Sequence, residues 1–246
     1  MIKLVELQRD QYTLRGLYHE VENAKALVVM FHGFTGHLNE HNFFFKNFAE
    51  EMEKIGIASL RYDFMGSGMS DGHFNEMTFL TELEDARAII NHALEIKGNA
   101  KLVVLGFSMG GAVAAKMGGE FQDKIDKLIL LSPAGDMDKI ARAYLINPAY
   151  KHYDDQNIDM GGYLIGLNFA HTLKDYDLYE GVGRYPNNVL IVHGELDKAV
   201  PIEYGRRYKE QYQNVEFHEI PGGDHGYNTM AMRAQVNKIV LDFIEK

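Results

Sequence analysis

The chain of 246 residues contains no cysteine. This absence excludes a disulfide framework, a thiolate nucleophile and cysteine-ligated zinc or iron–sulfur sites. Cationic residues are also few. The chain has 25 lysine and arginine residues and 35 aspartate and glutamate residues, so its formal charge is −10. Since proteins bind polyanions largely through clustered cationic side chains, the lack of any basic stretch predicts that nucleic acid is not a partner.

Long apolar runs are missing as well. No stretch approaches the about 20 consecutive apolar residues that a membrane-spanning helix needs. Residues 1–16 are interrupted by polar residues and contain no apolar core of signal-peptide length. We therefore predict a cytoplasmic protein that contacts no membrane. The sequence leaves the formation of a homodimer open.

The chain does contain a regular alternation of strand and helix patterns. Its length and its 46% hydrophobic residues suit one sizeable core, so we predict a single domain over residues 1–246. Ile2–Leu7 and Tyr12–Tyr18 predict an antiparallel hairpin. Apolar strand patterns with helical patterns between them follow at Ala26–Phe31, Ile57–Tyr62, Lys101–Phe107, Lys127–Leu131, Val189–His193 and Val215–Ile220. This alternation predicts an α/β fold with a mainly parallel, doubly wound sheet.

One long segment interrupts the alternation, at approximately residues 133–185. It is too long for an ordinary crossover between two strands. Ala141–Ile146 and Tyr163–Leu173 predict short helices, with breaks at Asn147-Pro148 and Gly161-Gly162. Because an insertion at the carboxyl edge of a parallel sheet lies above the usual ligand site, we predict that this segment is a small cap.

The sequence Gly106-Phe107-Ser108-Met109-Gly110 matches the nucleophile-elbow pattern G-x-S-x-G. It follows a predicted strand and precedes a segment of small residues that can begin a helix. Glycines two residues before and two after the serine let the sharp turn pass without Cβ clashes. We therefore expect Ser108 to be a nucleophile exposed at the carboxyl end of the sheet.

A serine hydroxyl needs a neighbouring base, and the base needs an orienting carboxylate. His225 lies in a glycine-rich loop after the last predicted strand, which is where the base of a Ser…Asp…His set belongs. Asp197 follows the preceding strand and stands just before a predicted helix. Glu195 lies in the same loop and Asp224 adjoins the histidine, so both are alternatives for the acid, and Asp197 is preferred.

Acyl transfer also requires donors that stabilise the oxyanion of the tetrahedral intermediate. The backbone N–H of Met109, directly after the serine, is one expected donor. The second is expected from Phe34, in the glycine-flanked loop His32-Gly33-Phe34-Thr35-Gly36. We expect His32 to bond the loop backbone rather than to act as a second base.

These motifs together resemble the serine α/β-hydrolases over the whole chain. Within that superfamily, the block Ser70-Asp71-Gly72-His73-Phe74-Asn75-Glu76-Met77-Thr78 is similar to the S-D-G-x-F-x-x-M-T block of bacterial feruloyl (cinnamoyl) esterases. The resemblance implies an α/β-hydrolase fold with a cap and a triad of Ser108, Asp197 and His225. It also implies a small-molecule ester as substrate and no metal or organic cofactor.

The resemblance further implies that the cap holds the phenolic ring of a hydroxycinnamate. Asp138 and Tyr163 are the expected contacts, because a carboxylate can accept from a ring hydroxyl and a phenol can donate to it. A short-chain carboxylesterase or a monoacylglycerol lipase is the alternative. Either would use the same triad beneath a more apolar cap.

Three other interpretations of the sequence are a metal site, a dinucleotide site and a fold without catalysis. His37-Leu38-Asn39-Glu40-His41 matches the metal-binding pattern H-x-x-E-H, which requires both histidines on one face of a helix. The stretch follows a glycine turn and no third ligand is obvious, so two surface histidines are preferred. A dinucleotide site at Gly66-Ser67-Gly68 is rejected because Asp71 occupies the place of the third glycine. A hydrolase-like fold without catalysis is the remaining alternative, and labelling of the serine would test it.

Overall fold

The computed structural model describes residues 1–147, 150 and 152–246. The strands are β1 (Ile2–Arg9), β2 (Tyr12–His19), β3 (Ala26–Phe31), β4 (Ile57–Tyr62), β5 (Lys101–Phe107), β6 (Lys127–Leu131), β7 (Asn157–Met160), β8 (Tyr163–Gly166), β9 (Asn188–Gly194) and β10 (Val215–Ile220). The α-helices are α1 (Phe44–Lys54), α2 (Phe79–Ile96), α3 (Met109–Glu120), α4 (Met137–Ile146), α5 (Leu167–Leu173), α6 (Ile202–Gln211) and α7 (Met230–Glu245). Among the described residues, no helix combines the length and the apolarity needed to span a membrane.

The main sheet has eight strands in the order β1-β2-β4-β3-β5-β6-β9-β10. The first two strands form an antiparallel hairpin, and β2 is also antiparallel to β4. From β4 to β10 all neighbouring pairs are parallel. The predicted doubly wound, mainly parallel sheet with an amino-terminal hairpin is therefore confirmed.

The central strands are apolar throughout because helices cover both faces of the sheet. In β3, Leu27 and Val29 pack into the core that includes α2 and α3. The intervening Val28 and Met30 pack on the opposite side, in the core that includes α1 and α7. This two-sided burial holds β3 and β5 in register, so the loops after them emerge side by side at one edge of the sheet.

The predicted cap segment, residues 133–185, contains α4, a small antiparallel hairpin of β7 and β8, and α5. The prediction of one helix over Tyr163–Leu173 is wrong in its first part, because Tyr163–Gly166 is strand β8 and the helix begins at Leu167. Gly161 and Gly162 have φ of 61° and 94° and form the tight hairpin turn. Helix α4 ends before the predicted break, and Pro148 of that break lies outside the described residues.

Candidate active site

The turn after β5 has the backbone that the G-x-S-x-G pattern predicts. Ser108 has φ of 56° and ψ of −121°, a conformation that L-residues rarely adopt. A Cβ on Gly106 would overlap the carbonyl oxygen of Gly110, and a Cβ on Gly110 would overlap those of Phe31 and His32. The two glycines therefore permit a strand-to-helix turn so tight that the serine stands at its tip.

Three side chains from three separate loops form a hydrogen-bonded chain beside this turn. The Nε2 atom of His225 lies 3.0 Å from Ser108 Oγ, and its Nδ1 lies 2.7 Å from Asp197 Oδ2. His225 is one-quarter exposed, whereas the Asp197 side chain is fully buried. The imidazole is also placed by Phe107, whose ring centroid lies 4.9 Å from that of the histidine. The ring is thus held with one nitrogen on the serine and the other on the carboxylate.

The surroundings of Asp197 keep it ionised. Burial raises the pKa of this carboxyl, but hydrogen bonds from His193 and His225 and the attraction of the His225 ring outweigh burial, so the pKa lies well below its usual range. The other carboxylate oxygen, Oδ1, accepts the backbone N–H groups of Ala199 at 2.9 Å and Val200 at 2.8 Å. These donors also fix the orientation of the carboxylate toward the histidine.

The two alternative acids have other partners. Glu195 is exposed and accepts the N–H of Gly222 at 2.9 Å. Asp224 accepts both the backbone N–H and the side-chain amide of Asn228. Neither carboxylate is hydrogen-bonded to His225, so only Asp197 of the three candidates can orient it.

His193, which the sequence analysis did not single out, also contacts the acid. Its Nε2 donates to the carbonyl oxygen of Val200 at 2.8 Å and lies 3.5 Å from Asp197 Oδ2. The ring is completely buried. The i, i+4 spacing of His193 and Asp197 across a strand end was the one signal in the sequence that could have indicated this contact.

Two backbone donors in the loops next to the serine have no protein partner. Among the described residues, the N–H groups of Phe34 and Met109 donate to no protein acceptor. Met109 is the first residue of α3, where the positive end of the helix dipole adds to the attraction for an anion. Gly33 brings the other loop close, since a Cβ on it would lie 3.1 Å from Ser108 Cβ. The arrangement can therefore bind an oxyanion on a carbon attached to Ser108.

A strip of aromatic rings connects this loop to the cap segment. Phe34 lies 5.6 Å from Phe74 and 5.3 Å from Phe169, measured between ring centroids. Phe74 in turn lies 5.6 Å from Tyr163 of β8. Phe74 and Phe169 are site residues that were not predicted from the sequence. Their contacts join residues far apart in sequence, and no local pattern indicates such pairs.

The two expected substrate contacts lie in different surroundings. Tyr163 is 46% exposed and belongs to the aromatic strip. Asp138 lines a pocket of about 420 Å³ formed mostly by charged side chains, and its carboxylate lies 3.9 Å from Arg142. No described contact joins the two residues, so their shared role stays a prediction.

The H-x-x-E-H stretch is not helical. Glu40 has φ of 56°, and only the three residues His41–Phe43 form a short 3₁₀ turn. Its two histidines therefore do not share one face of a helix. Within the described ranges, no group of three histidine, aspartate or glutamate side chains is placed to hold a metal ion. Glu40 instead points into the loop, where its carboxylate accepts the backbone N–H of Gly33.

The geometry agrees with a family-level comparison. The family model described as Hydrolase_4, serine aminopeptidase S33, matches residues 22–153, which is more than half of the chain. The chain belongs to this family of α/β-hydrolases. The match covers both the Phe34 loop and the serine turn.

Individual relatives are distant but cover most of this hydrolase. The YisY protein of Bacillus subtilis is 23% identical, over 88% of this chain and 90% of its own length. A monoacylglycerol lipase of Mycolicibacterium smegmatis is 21% identical, over 79% of this chain and 78% of its own. The structure of Est1E from Butyrivibrio proteoclasticus with bound ferulic acid superimposes with a TM-score of 0.85 and 28% identity, covering 98% of this chain and 100% of that one. This chain therefore has the α/β-hydrolase fold and is an esterase- or lipase-like hydrolase.

Proposed function

We propose that this protein is a serine carboxylic ester hydrolase that acts through an acyl-enzyme. The observation that carries the proposal is the continuous hydrogen-bonded chain from Ser108 through His225 to Asp197. A hydroxyl, an imidazole and a buried carboxylate in this order can activate the serine as a nucleophile. The hydrogen bonds to Asp197 outweigh its burial and hold its pKa low, so the acid is ionised for that role.

In the first half-reaction, Ser108 Oγ attacks the ester carbonyl carbon and His225 Nε2 accepts the hydroxyl proton. The ionised Asp197 stabilises the imidazolium. The carbonyl oxygen becomes an oxyanion, which the N–H groups of Phe34 and Met109 bind. The imidazolium then protonates the leaving alcohol as the bond between carbon and alcohol oxygen breaks, and the acyl group remains on the serine.

In the second half-reaction, water repeats these steps on the acyl-enzyme. His225 accepts a proton from the water as its oxygen attacks the acyl carbon. The same two N–H groups hold the second oxyanion. Collapse of this intermediate returns the proton to Ser108 and releases the carboxylic acid, which leaves the enzyme in its starting state.

As substrates we propose feruloyl or related hydroxycinnamoyl esters. Two observations support this choice. Est1E, whose structure carries ferulic acid, matches nearly the whole chain. The aromatic strip of Phe34, Phe74 and Tyr163 provides flat apolar surfaces at the Phe34 loop. Such surfaces suit a planar aromatic acyl group.

A monoacylglycerol is the second candidate substrate. The similarity to the lipase of Mycolicibacterium smegmatis favours it, since that relative also spans most of the chain. The catalytic residues would be the same. The difference would lie in the cap segment, which would then receive a flexible acyl chain rather than a ring.

The nucleophile is tested with Ser108→Ala and with a fluorophosphonate probe. We expect the variant to lose more than about a thousandfold in kcat/KM and to lose covalent labelling. Ser67→Ala is the matched control, because the Ser67 hydroxyl makes no hydrogen bond to another described residue. A Ser108→Ala protein that keeps most of its activity would contradict the mechanism.

The substrate is tested separately by comparing initial rates on methyl ferulate, p-nitrophenyl butyrate and a monoacylglycerol. We expect the highest kcat/KM on methyl ferulate. Cleavage of the monoacylglycerol without cleavage of ferulate would replace the proposed substrate and leave the serine mechanism intact.

A further inference from the structure

The loop that carries Phe34 is strained. Thr35, Glu40, Asn42 and Phe43 all have φ between 52° and 61°, in the left-handed region that non-glycine residues seldom occupy. Each such residue costs on the order of 1–3 kcal/mol, so the surroundings must hold the loop in place. The contacts that hold it therefore also decide where Phe34 presents its N–H.

Glu40 makes the central contact inside this loop. The residue is only 4% exposed. Its Oε1 accepts the backbone N–H of Gly33 at 2.5 Å, and its Oε2 accepts the N–H of His41 at 3.0 Å. Gly36 leaves the space for the carboxylate, since a Cβ there would lie 2.7 Å from Oε1. Both carboxylate oxygens are thus occupied by backbone donors of the same loop.

The bond to Gly33 matters because this glycine adjoins the serine. The two peptide groups that flank Gly33 are held from different sides. Glu40 accepts the N–H of the preceding group. The carbonyl of the following group accepts the Nδ1–H of His32 and the backbone N–H of Gly36, each at 2.9 Å. In a trans peptide the C=O and the N–H point in opposite directions. A Gly33 carbonyl fixed on His32 therefore directs the Phe34 N–H the other way.

We propose that Glu40 is a positioning residue for the oxyanion hole. It touches no substrate. It holds Gly33, and through Gly33 it holds the orientation of the Phe34 N–H beside Ser108. The proposal rests on the proposed function, because it assigns a role within the same site. It also gives a use to the glutamate of the H-x-x-E-H stretch that the mechanism left without one.

The chemistry of the contact explains why a carboxylate suits this position. Both partners are N–H groups, and an ionised carboxylate offers an acceptor to each. A glutamine offers one carbonyl oxygen, so its NH₂ group would face one of the two donors. The hydrogen bonds of an ionised acceptor are also about twice as strong as neutral ones. Glutamine should therefore substitute only in part, and alanine not at all.

The test compares Glu40→Gln and Glu40→Ala with Glu22→Gln. Glu22 is an exposed carboxylate before the amino end of β3, at the opposite edge of the sheet from the serine. For each variant we would measure kcat and KM on the best ester, the thermal midpoint, and the Kd of phenylboronic acid. This inhibitor adds to a catalytic serine as a tetrahedral anion and so depends on the oxyanion donors.

We expect Glu40→Ala to lower kcat by about 30- to 100-fold, because a misplaced group of about 1 Å can cost a hundredfold. Glu40→Gln should lose about tenfold, with KM within about threefold in both variants, since the donors act mainly in the transition state. The Kd of phenylboronic acid should rise in the same order, Ala above Gln above wild type. Glu22→Gln should leave every value unchanged.

Two results would overturn the proposal. One is a soluble Glu40→Gln or Glu40→Ala protein whose kcat and boronic acid Kd match the wild type. The other is a loss that appears only in the thermal midpoint, which would make Glu40 a structural residue. If Ser108→Ala keeps its activity, the proposed function fails and the role of Glu40 in its oxyanion hole fails with it. If Ser108→Ala is inactive, their outcome bears on Glu40 alone.

Discussion

Two loops at the carboxyl ends of neighbouring strands hold the candidate site, and different forces fix them. The Ser108 turn after β5 is fixed by its own backbone, because atoms of the turn and of β3 approach so closely that Gly106 and Gly110 have no room for a Cβ. The Phe34 loop after β3 is fixed by hydrogen bonds instead, which come from side chains and from backbone groups such as the N–H of Gly36. Glu40 and His32 bind its peptide groups from within.

The difference predicts two kinds of failure. A side chain added to the serine turn meets backbone atoms that cannot move aside, so the whole protein is destabilised. Removing a side chain from the Phe34 loop removes hydrogen bonds but creates no steric overlap. That change should disturb the direction of one N–H group while most of the fold survives.

The largest expected effect follows from Gly110→Ala. The new Cβ would overlap the carbonyl oxygens of Phe31 and His32, so we expect little or no folded protein. Circular dichroism and the soluble yield measure this directly. Gly98→Ala is the control. Gly98 has φ of 54°, so a Cβ there strains the backbone, but nothing lies within 4 Å of that Cβ and the change should cost only about 1–2 kcal/mol.

A stable, active Gly110→Ala protein would break the comparison. It would mean that the turn can relax and that its glycines are not required by sterics. Equal destabilisation by Gly98→Ala would show that overlap with backbone atoms costs no more than the strain of a positive φ.

This contrast also explains how much could be predicted from the sequence. The serine turn leaves a sequence pattern because only glycine satisfies its sterics, and the parallel strands leave apolar runs because both faces are buried. The role of Glu40 leaves no sequence pattern, since it depends on a left-handed backbone and on a side chain that folds back to Gly33. The hairpin at Tyr163 was missed for a related reason, because strands of four residues are too short to show a period of two.

A second, smaller effect is expected from two variants of His32. The Nδ1 atom of its ring donates to Gly33, and Nε2 accepts the N–H of Phe64 at 3.0 Å. An asparagine can retain a donor near the Nδ1 position, and a glutamine can retain an acceptor near the Nε2 position. We expect His32→Asn to keep kcat within about threefold of the wild type and His32→Gln to lose about tenfold or more. Both losses should be smaller than the about 10²–10³-fold loss that follows removal of one oxyanion donor.

The thermal midpoint makes this pair decisive. His32→Asn leaves the buried N–H of Phe64 unpaired, which costs about 1–3 kcal/mol. His32→Gln leaves the Gly33 carbonyl with the N–H of Gly36, so the Asn variant should be the less stable of the two. A kcat that follows stability, with the Asn variant as slow as the Gln variant, would show that the bond from His32 to the Gly33 carbonyl does not set the Phe34 N–H. A slow Asn variant beside a fast Gln variant would contradict the assignment outright.

The smallest effect concerns a buried carboxyl that lacks the partners of Glu40. Glu82 on α2 is 1% exposed, and its Oε2 has no hydrogen-bond partner among the described residues. Burial, and then the nearby Asp85, raise the pKa of Glu82 well above its usual value. The folded protein therefore keeps a proton that the unfolded chain releases.

Because the folded state binds more protons above the ordinary glutamate pKa, the free energy of unfolding should fall as pH rises through this window, by up to about 1.4 kcal/mol per pH unit. Glu82→Gln removes the titration, so its stability should depend less on pH and exceed that of the wild type at pH 8. Glu95→Gln, an exposed carboxylate on the same helix, should keep the wild-type slope. Urea unfolding at pH 5, 6.5 and 8 measures all three proteins. An unchanged slope in Glu82→Gln would mean that this carboxyl is ionised in the fold, and that burial without partners does not distinguish it from Glu40.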